Sequence, residues 1–71
     1  MEKELFKVNW GWGYRIRRDG KVFIEQVYTP CLQGKVLMSR ERAERLANLV
    51  ITKLQNRPDE LPTLSMEEVL N

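Results

Sequence analysis

Nucleophilic and acid–base catalysis require an activating group beside the reacting one. The one thiol in this chain is Cys31, and there is no histidine to take its proton. Cys31 therefore reads as an inert, small apolar side chain. A single thiol without histidine also cannot build a zinc site. The only two serines, Ser39 and Ser65, both precede helical patterns and read as caps. Glu25 is the one acid inside a strand pattern, and Arg15 across the strand accounts for it. Gly11 and Gly13 do not make a phosphate loop, because they lie within a strand pattern with no helix start behind them. The residues give no catalytic group, no metal ligands and no cofactor site, so the chain reads as a non-enzyme.

A second chemistry is binding. Trp10, Trp12, Tyr14, Arg15, Arg17, Arg18, Lys21 and Phe23 interleave aromatic with basic side chains. Aromatic platforms with a basic rim bind single-stranded nucleic acid. However, Trp10, Trp12 and Tyr14 share the parity of Ile16, which makes them a core stripe with the arginines on a solvated opposite face. A nucleic-acid-binding accessory role is the weaker reading.

The elements that position these residues follow from periodicity. Residues 6–16 alternate apolar and polar, the period of a half-buried strand. Gly11 and Gly13 within it imply a bend, a bulge or the close approach of another backbone. Asp19-Gly20 is a strong hairpin turn, and a second strand runs from Lys21 to Thr29, stopped by Pro30. The hairpin thus spans 6–29.

Two registers compete. A two-residue loop pairs Arg18 with Lys21 and sets Ile16 against Phe23. A three-residue loop pairs Arg17 with Lys21, sets Ile16 against Val22, Tyr14 against Ile24 and Trp10 against Tyr28. The second is preferred because it gathers most apolar residues, including Tyr14, Ile16, Val22 and Ile24, on one helix-facing side.

Segment 31–38 is a connection hinged at Gly34, from which Val36-Leu37-Met38 is a candidate short third strand. Ser39 caps a helix within 39–57. Ala43, Leu46, Ala47, Val50, Ile51 and Leu54 form its apolar stripe, and Pro58 stops it. Glu41 and Arg45 have i,i+4 spacing. In segment 58–71, Ser65 and Glu68 have capping-box spacing, with Leu64 and Val69 placed as a hydrophobic staple. The fold class is α+β: an antiparallel hairpin on one amphipathic helix, with a short C-terminal helical turn, in a single domain.

Residues 1–57 hold all 12 basic and six acidic residues, while 58–71 hold four acids and no base. A basic body thus carries an acidic tail, expected to dock on it through Leu64, Met66, Val69 and Leu70. No apolar run reaches the ~18 residues of a membrane span, and the first residues have no signal-peptide core behind them.

Trp12-Gly13-Tyr14, Ile16, Asp19-Gly20-Lys21, Ile24-x-Gln26, Pro30, Gly34, the helix with Ala43, Ala47, Val50 and Lys53-Leu54, and Pro62-Thr63-Leu64 recur in a fixed order. In that order they resemble a small uncharacterised bacterial family, domain of unknown function 4907. The resemblance covers about residues 10 to 70. It implies an exported domain, since the family looks like small cell-envelope proteins of anaerobic Gram-negative bacteria, often with a lipoprotein-type signal. Cys31 and the bulky Val36-Leu37-Met38 depart from the family pattern. The family has no established activity, so no functional residues carry over.

The leading expectation is a non-enzymatic binding or interaction module of the cell envelope or periplasm. Two strands and one helix cannot hide every large apolar side chain, and a chain this short gains from burial against a partner. Trp10, Trp12, Arg15, Phe23, Val27 and Tyr28 are the candidate contact residues. The expected partner is a second copy or another protein, met through a strand edge or the apolar hairpin face.

Overall fold

The computed structural model describes residues 1–30, 32–34 and 36–70; Cys31, read above as inert, lies outside the described residues. Three strands, β1 (Glu2–Val8), β2 (Gly11–Arg18) and β3 (Lys21–Gln26), are followed by helix α1 (Arg40–Asn56) and the short α2 (Met66–Leu70). The strands form one antiparallel sheet in the order β1-β2-β3. α1 packs against β2 and β1. The α+β class expected from the pattern is the fold observed.

Residues 6–16 are not one strand. The chain reverses at Asn9-Trp10, and Val8 pairs with Gly11. A two-residue reversal exchanges parity, so even-numbered residues of β1 share a face with odd-numbered residues of β2. Alternation alone cannot reveal this, because it reports the period and not the hand-over between strands. Leu5, opposite Tyr14, therefore packs on the core in place of Phe6. Lys3 also reaches the helix, donating to Asn48 Oδ1 at 2.7 Å. Glu2 and Glu4 face Arg17 and Arg15 across the strands, and such opposite-charge pairs support a strand of low intrinsic β propensity.

The β2–β3 turn is at Asp19-Gly20, as expected. Both residues have positive φ, 54° and 77°, the requirement of a type I′ loop. Arg18 pairs with Lys21 and Arg17 with Val22, as a two-residue loop demands, but Ile16 then pairs with Ile24. Phe23 is the extra residue of a bulge, and neither register predicted from the sequence persists along the strand. The bulge restores Ile24 to the helix side while leaving Val22 46% exposed, which corrects its expected place in the core.

β3 ends at Gln26, three residues before Thr29, and Trp10 does not pair with Tyr28. Segment 36–38 takes over instead: Trp12 N–H donates to Met38 O at 2.8 Å, and Thr29 N–H to Val36 O at 2.5 Å. Leu37 bridges Tyr28. This segment makes isolated bridges, and the third full strand is the N-terminal β1.

α1 matches its pattern closely. Ser39 Oγ accepts from Arg42 N–H at 3.1 Å, and Ala43, Leu46, Ala47, Val50 and Leu54 are buried. With Tyr14, Ile16, Met38 and Val69 they form the core. Two glycines of β2 make room for what covers them. A Cβ on Gly13 would stand 2.7 Å from Phe6 Cζ and 2.8 Å from the Gln26 carbonyl oxygen; one on Gly11 would stand 2.7 Å from Leu37 Cβ.

Gly13→Ala should accordingly destabilise the fold. The Phe6 ring can rotate away, but the Gln26 carbonyl belongs to the sheet. Overpacking of this kind costs about 1–3 kcal/mol, and thermal unfolding should register it as a fall in Tm of roughly 4–8 °C per kcal/mol. An unchanged Tm would contradict the close approach.

Candidate functional site

Trp10 occupies the β1–β2 reversal and is 93% exposed. It borders a cleft of about 430 Å³ lined by Val8, Asn9, Trp10, Val27, Tyr28 and Leu37. Three separate features assemble this cleft. The Asn9-Trp10 reversal puts Val8 on the sheet face away from the helix. The exit of the chain from β3 brings Val27 and Tyr28. The Trp12–Met38 hydrogen bond brings back Leu37, whose Cβ lies against Gly11. An apolar concavity beside a fully presented indole makes this end of the sheet the candidate contact surface.

Of the six expected contact residues, Trp10, Val27 and Tyr28 meet here. Trp12 lies on the helix face, half-buried against the core, with the Arg40 guanidinium 5.6 Å from its ring centroid. Arg15 lies on the outer sheet face. It donates to Glu4 and, at 3.0 Å, to Glu25, and its guanidinium stands 4.5 Å over the Phe6 ring. Its hydrogen bonds to Glu25 and then to Glu4 push its pKa still higher. Phe23 is at the far end of the sheet, 4.3 Å beneath the Arg18 guanidinium. Val8 and Leu37 are the apolar cleft residues missing from the sequence reading: Val8 because an unseen turn reverses its parity, and Leu37 because a bulky Val-Leu-Met run marks burial without saying against what.

The acidic tail docks on the body of its own chain. Val69 is fully buried and Leu64 packs on the core, while Met66 and Leu70 are 44% and 54% exposed. The capping box forms in both directions, with Glu68 N–H donating to Ser65 Oγ at 3.1 Å and Ser65 N–H to Glu68 Oε1 at 3.0 Å. Arg45 donates to the carbonyls of Glu68 (2.7 Å) and Val69 (2.5 Å), at the negative end of α2. This is the role it takes, rather than the expected pairing with Glu41. Lys53 donates to Glu68 Oε1 at 2.7 Å and to Thr63 O at 2.5 Å. Lys53, followed by the Ser65 N–H, holds the Glu68 carboxyl down at about 2. Burial pushes the Tyr14 hydroxyl up to about 12, consistent with a core tyrosine rather than an acid–base group.

Among the described residues, no three His, Cys, Asp or Glu side chains are placed to hold a metal ion, and no helix is long and apolar enough to cross a membrane. The sequence model of a family described as a domain of unknown function (DUF4907) matches residues 4–71. No curated protein and no solved structure matches the chain.

Glu68 generates a pH prediction. Its pKa is lowered on folding, so the stability it contributes is present above the ordinary value of 4.5 and is lost as pH falls through about 2. Glu68→Gln should lower the urea midpoint at neutral pH, and the gap to the unaltered chain should close between those two values. A gap that persists at the acid end would show that Glu68 acts through something other than its charge.

Proposed function

The chain belongs to the DUF4907 family, and on that premise we propose that it is a non-enzymatic interaction module whose contact surface is the Trp10 end of the sheet. One observation carries the reading: a tryptophan 93% exposed at a tight reversal, beside a cleft of Val8, Val27, Tyr28 and Leu37. Holding an indole in water forgoes the burial that a small domain most needs. A partner that covers it recovers that burial.

The charged groups support a non-enzymatic role, since the closest pairs have structural work. Arg15 ties β1 to β3 through Glu4 and Glu25, and Lys53 ties the tail to α1 through Glu68. The aromatic–basic interleaving supports a protein partner over nucleic acid. Arg15, Arg18 and Arg40 lie over Phe6, Phe23 and Trp12, covering faces on which bases would stack. Pairing of two copies through β1 is the weaker route. A twofold axis centred on Glu4 opposes two glutamates, and one centred on Leu5 opposes Lys3 to Lys7, both unfavourable. The hairpin face is therefore the surface we assign to the partner. The cell envelope is the compartment we propose, supported by the family resemblance.

The test is capture from a native envelope fraction with the tagged chain, run beside Trp10→Ala. The variant should keep its Tm, because an exposed side chain contributes little to folding. It should lose affinity for the partner by about 30-fold or more, as truncation of a central interface tryptophan does. Capture should also survive a rise in salt from about 50 to 200 mM, over which a polyanion complex weakens by orders of magnitude. Equal capture by both chains, or release by salt, would remove the Trp10 surface from consideration.

A further inference from the structure

The C-terminal segment is held by its seat more than by its own sequence. α2 has five residues, too few to stay helical alone. It rests on one buried side chain, Val69, on Leu64, and on four hydrogen bonds from two cations of α1. Arg45 reads the carbonyls of Glu68 and Val69; Lys53 reads the Glu68 carboxylate and the Thr63 carbonyl. The connecting residues 57–63 contribute the Thr63 carbonyl to this holding. They include Pro58 and Pro62, leave Leu61 73% exposed, and arch over an open cavity of about 290 Å³ beside Lys53 and Arg57. Seat and segment are related as a receptor and a tethered ligand.

We propose that the face of α1 between Arg45 and Lys53 is a docking site for an acidic, apolar helical turn, and that a second copy of this chain supplies it by exchanging residues 64–70. Charge complementarity selects the occupant. It must present carbonyls to Arg45, a carboxylate three residues after its cap to Lys53, and an apolar side chain where Val69 sits. The corresponding segment of a second copy meets each of these contacts unchanged, so exchange forfeits none of them and depends on concentration and on the connection. At about 3.3 Å per residue, residues 57–63 span roughly 23 Å when extended. That is comparable with the 30 × 25 × 17 Å extents of the molecule, so the segment reaches a neighbour. The site is distinct from the Trp10 end and does not rest on its assignment.

Two measurements test this. The first uses the full chain carrying Val69→Asp, which vacates the seat and leaves both cations, with a labelled peptide of residues 58–71 added in trans. The peptide should bind the Val69→Asp chain about tenfold or more tightly than it binds the unaltered chain, whose seat is filled. It should lose about tenfold when it carries Glu68→Lys or when Arg45→Ala is added to the chain, as expected for charge-assisted hydrogen bonds. A folded Val69→Asp chain that ignores the peptide, or binds the Glu68→Lys peptide equally, overturns the docking site. The second measurement needs no variant, and so stands if Val69→Asp fails to fold. In a millimolar mixture of isotope-labelled and unlabelled chains, intermolecular contacts should connect Val69 of one copy with α1 of the other. Contacts confined to single copies overturn the assignment of a second copy as occupant.

Discussion

The hydrogen bond from Trp12 N–H to Met38 O, 2.8 Å long, is the contact on which the rest of the molecule depends. It closes a loop that begins where β3 leaves the sheet after Gln26. It places Met38 in the core and, one residue on, sets Ser39 to cap α1 across the sheet. The same closure lays Leu37 against Gly11, where a side chain would meet Leu37 Cβ at 2.7 Å. The placement of the helix start and the Leu37 wall of the apolar cleft thus follow from one backbone pairing, made possible by a glycine that leaves room for it.

Charge does a different job on each side of the sheet. On the outer face, Arg15 lies between Glu4 and Glu25 and over Phe6, joining all three strands at one point. Each such exposed pair is worth little alone, but β1 has few apolar residues and draws its pairing preference from them. On the helix face, Lys3 extends to Asn48 and Glu44, covering the sheet with its aliphatic stem. Three arginines on three rings leave Trp10 as the conspicuous uncovered aromatic. Trp10 stands at the surface assigned to a partner.

The tail completes the core rather than decorating it. Val69 is as buried as Leu46 and Leu54, so the apolar stripe of α1 is finished only when α2 docks. Arg45 satisfies two carbonyls that a five-residue helix leaves open at its end, and Lys53 holds the Glu68 carboxylate. The basic-body, acidic-tail asymmetry resolves locally into Lys53–Glu68, from α1, and Arg57–Glu60, just past its end, and leaves the hairpin arginines to their own partners.

Local chemistry was legible in the sequence wherever it acts within a few residues. The Ser39 cap, the stripe of α1, the Asp19-Gly20 turn, the Ser65–Glu68 box and the Arg15–Glu25 pair all follow from spacing. So did the close approach implied by Gly11 and Gly13, and the domain of unknown function to which the chain belongs. Tertiary structure decided what spacing leaves degenerate. The reversal at Asn9-Trp10 preserves alternation while swapping faces, and so turned one expected strand into two and sent Phe6 outward. The Phe23 bulge shifted the register to bring Ile24 under the helix, a gain visible only once α1 is in place. Trp10, Val27 and Tyr28 met Val8 and Leu37 because residues 8 and 37 are joined in space by a backbone hydrogen bond between 12 and 38. Such a pairing between distant residues leaves no periodic trace in the chain that makes it.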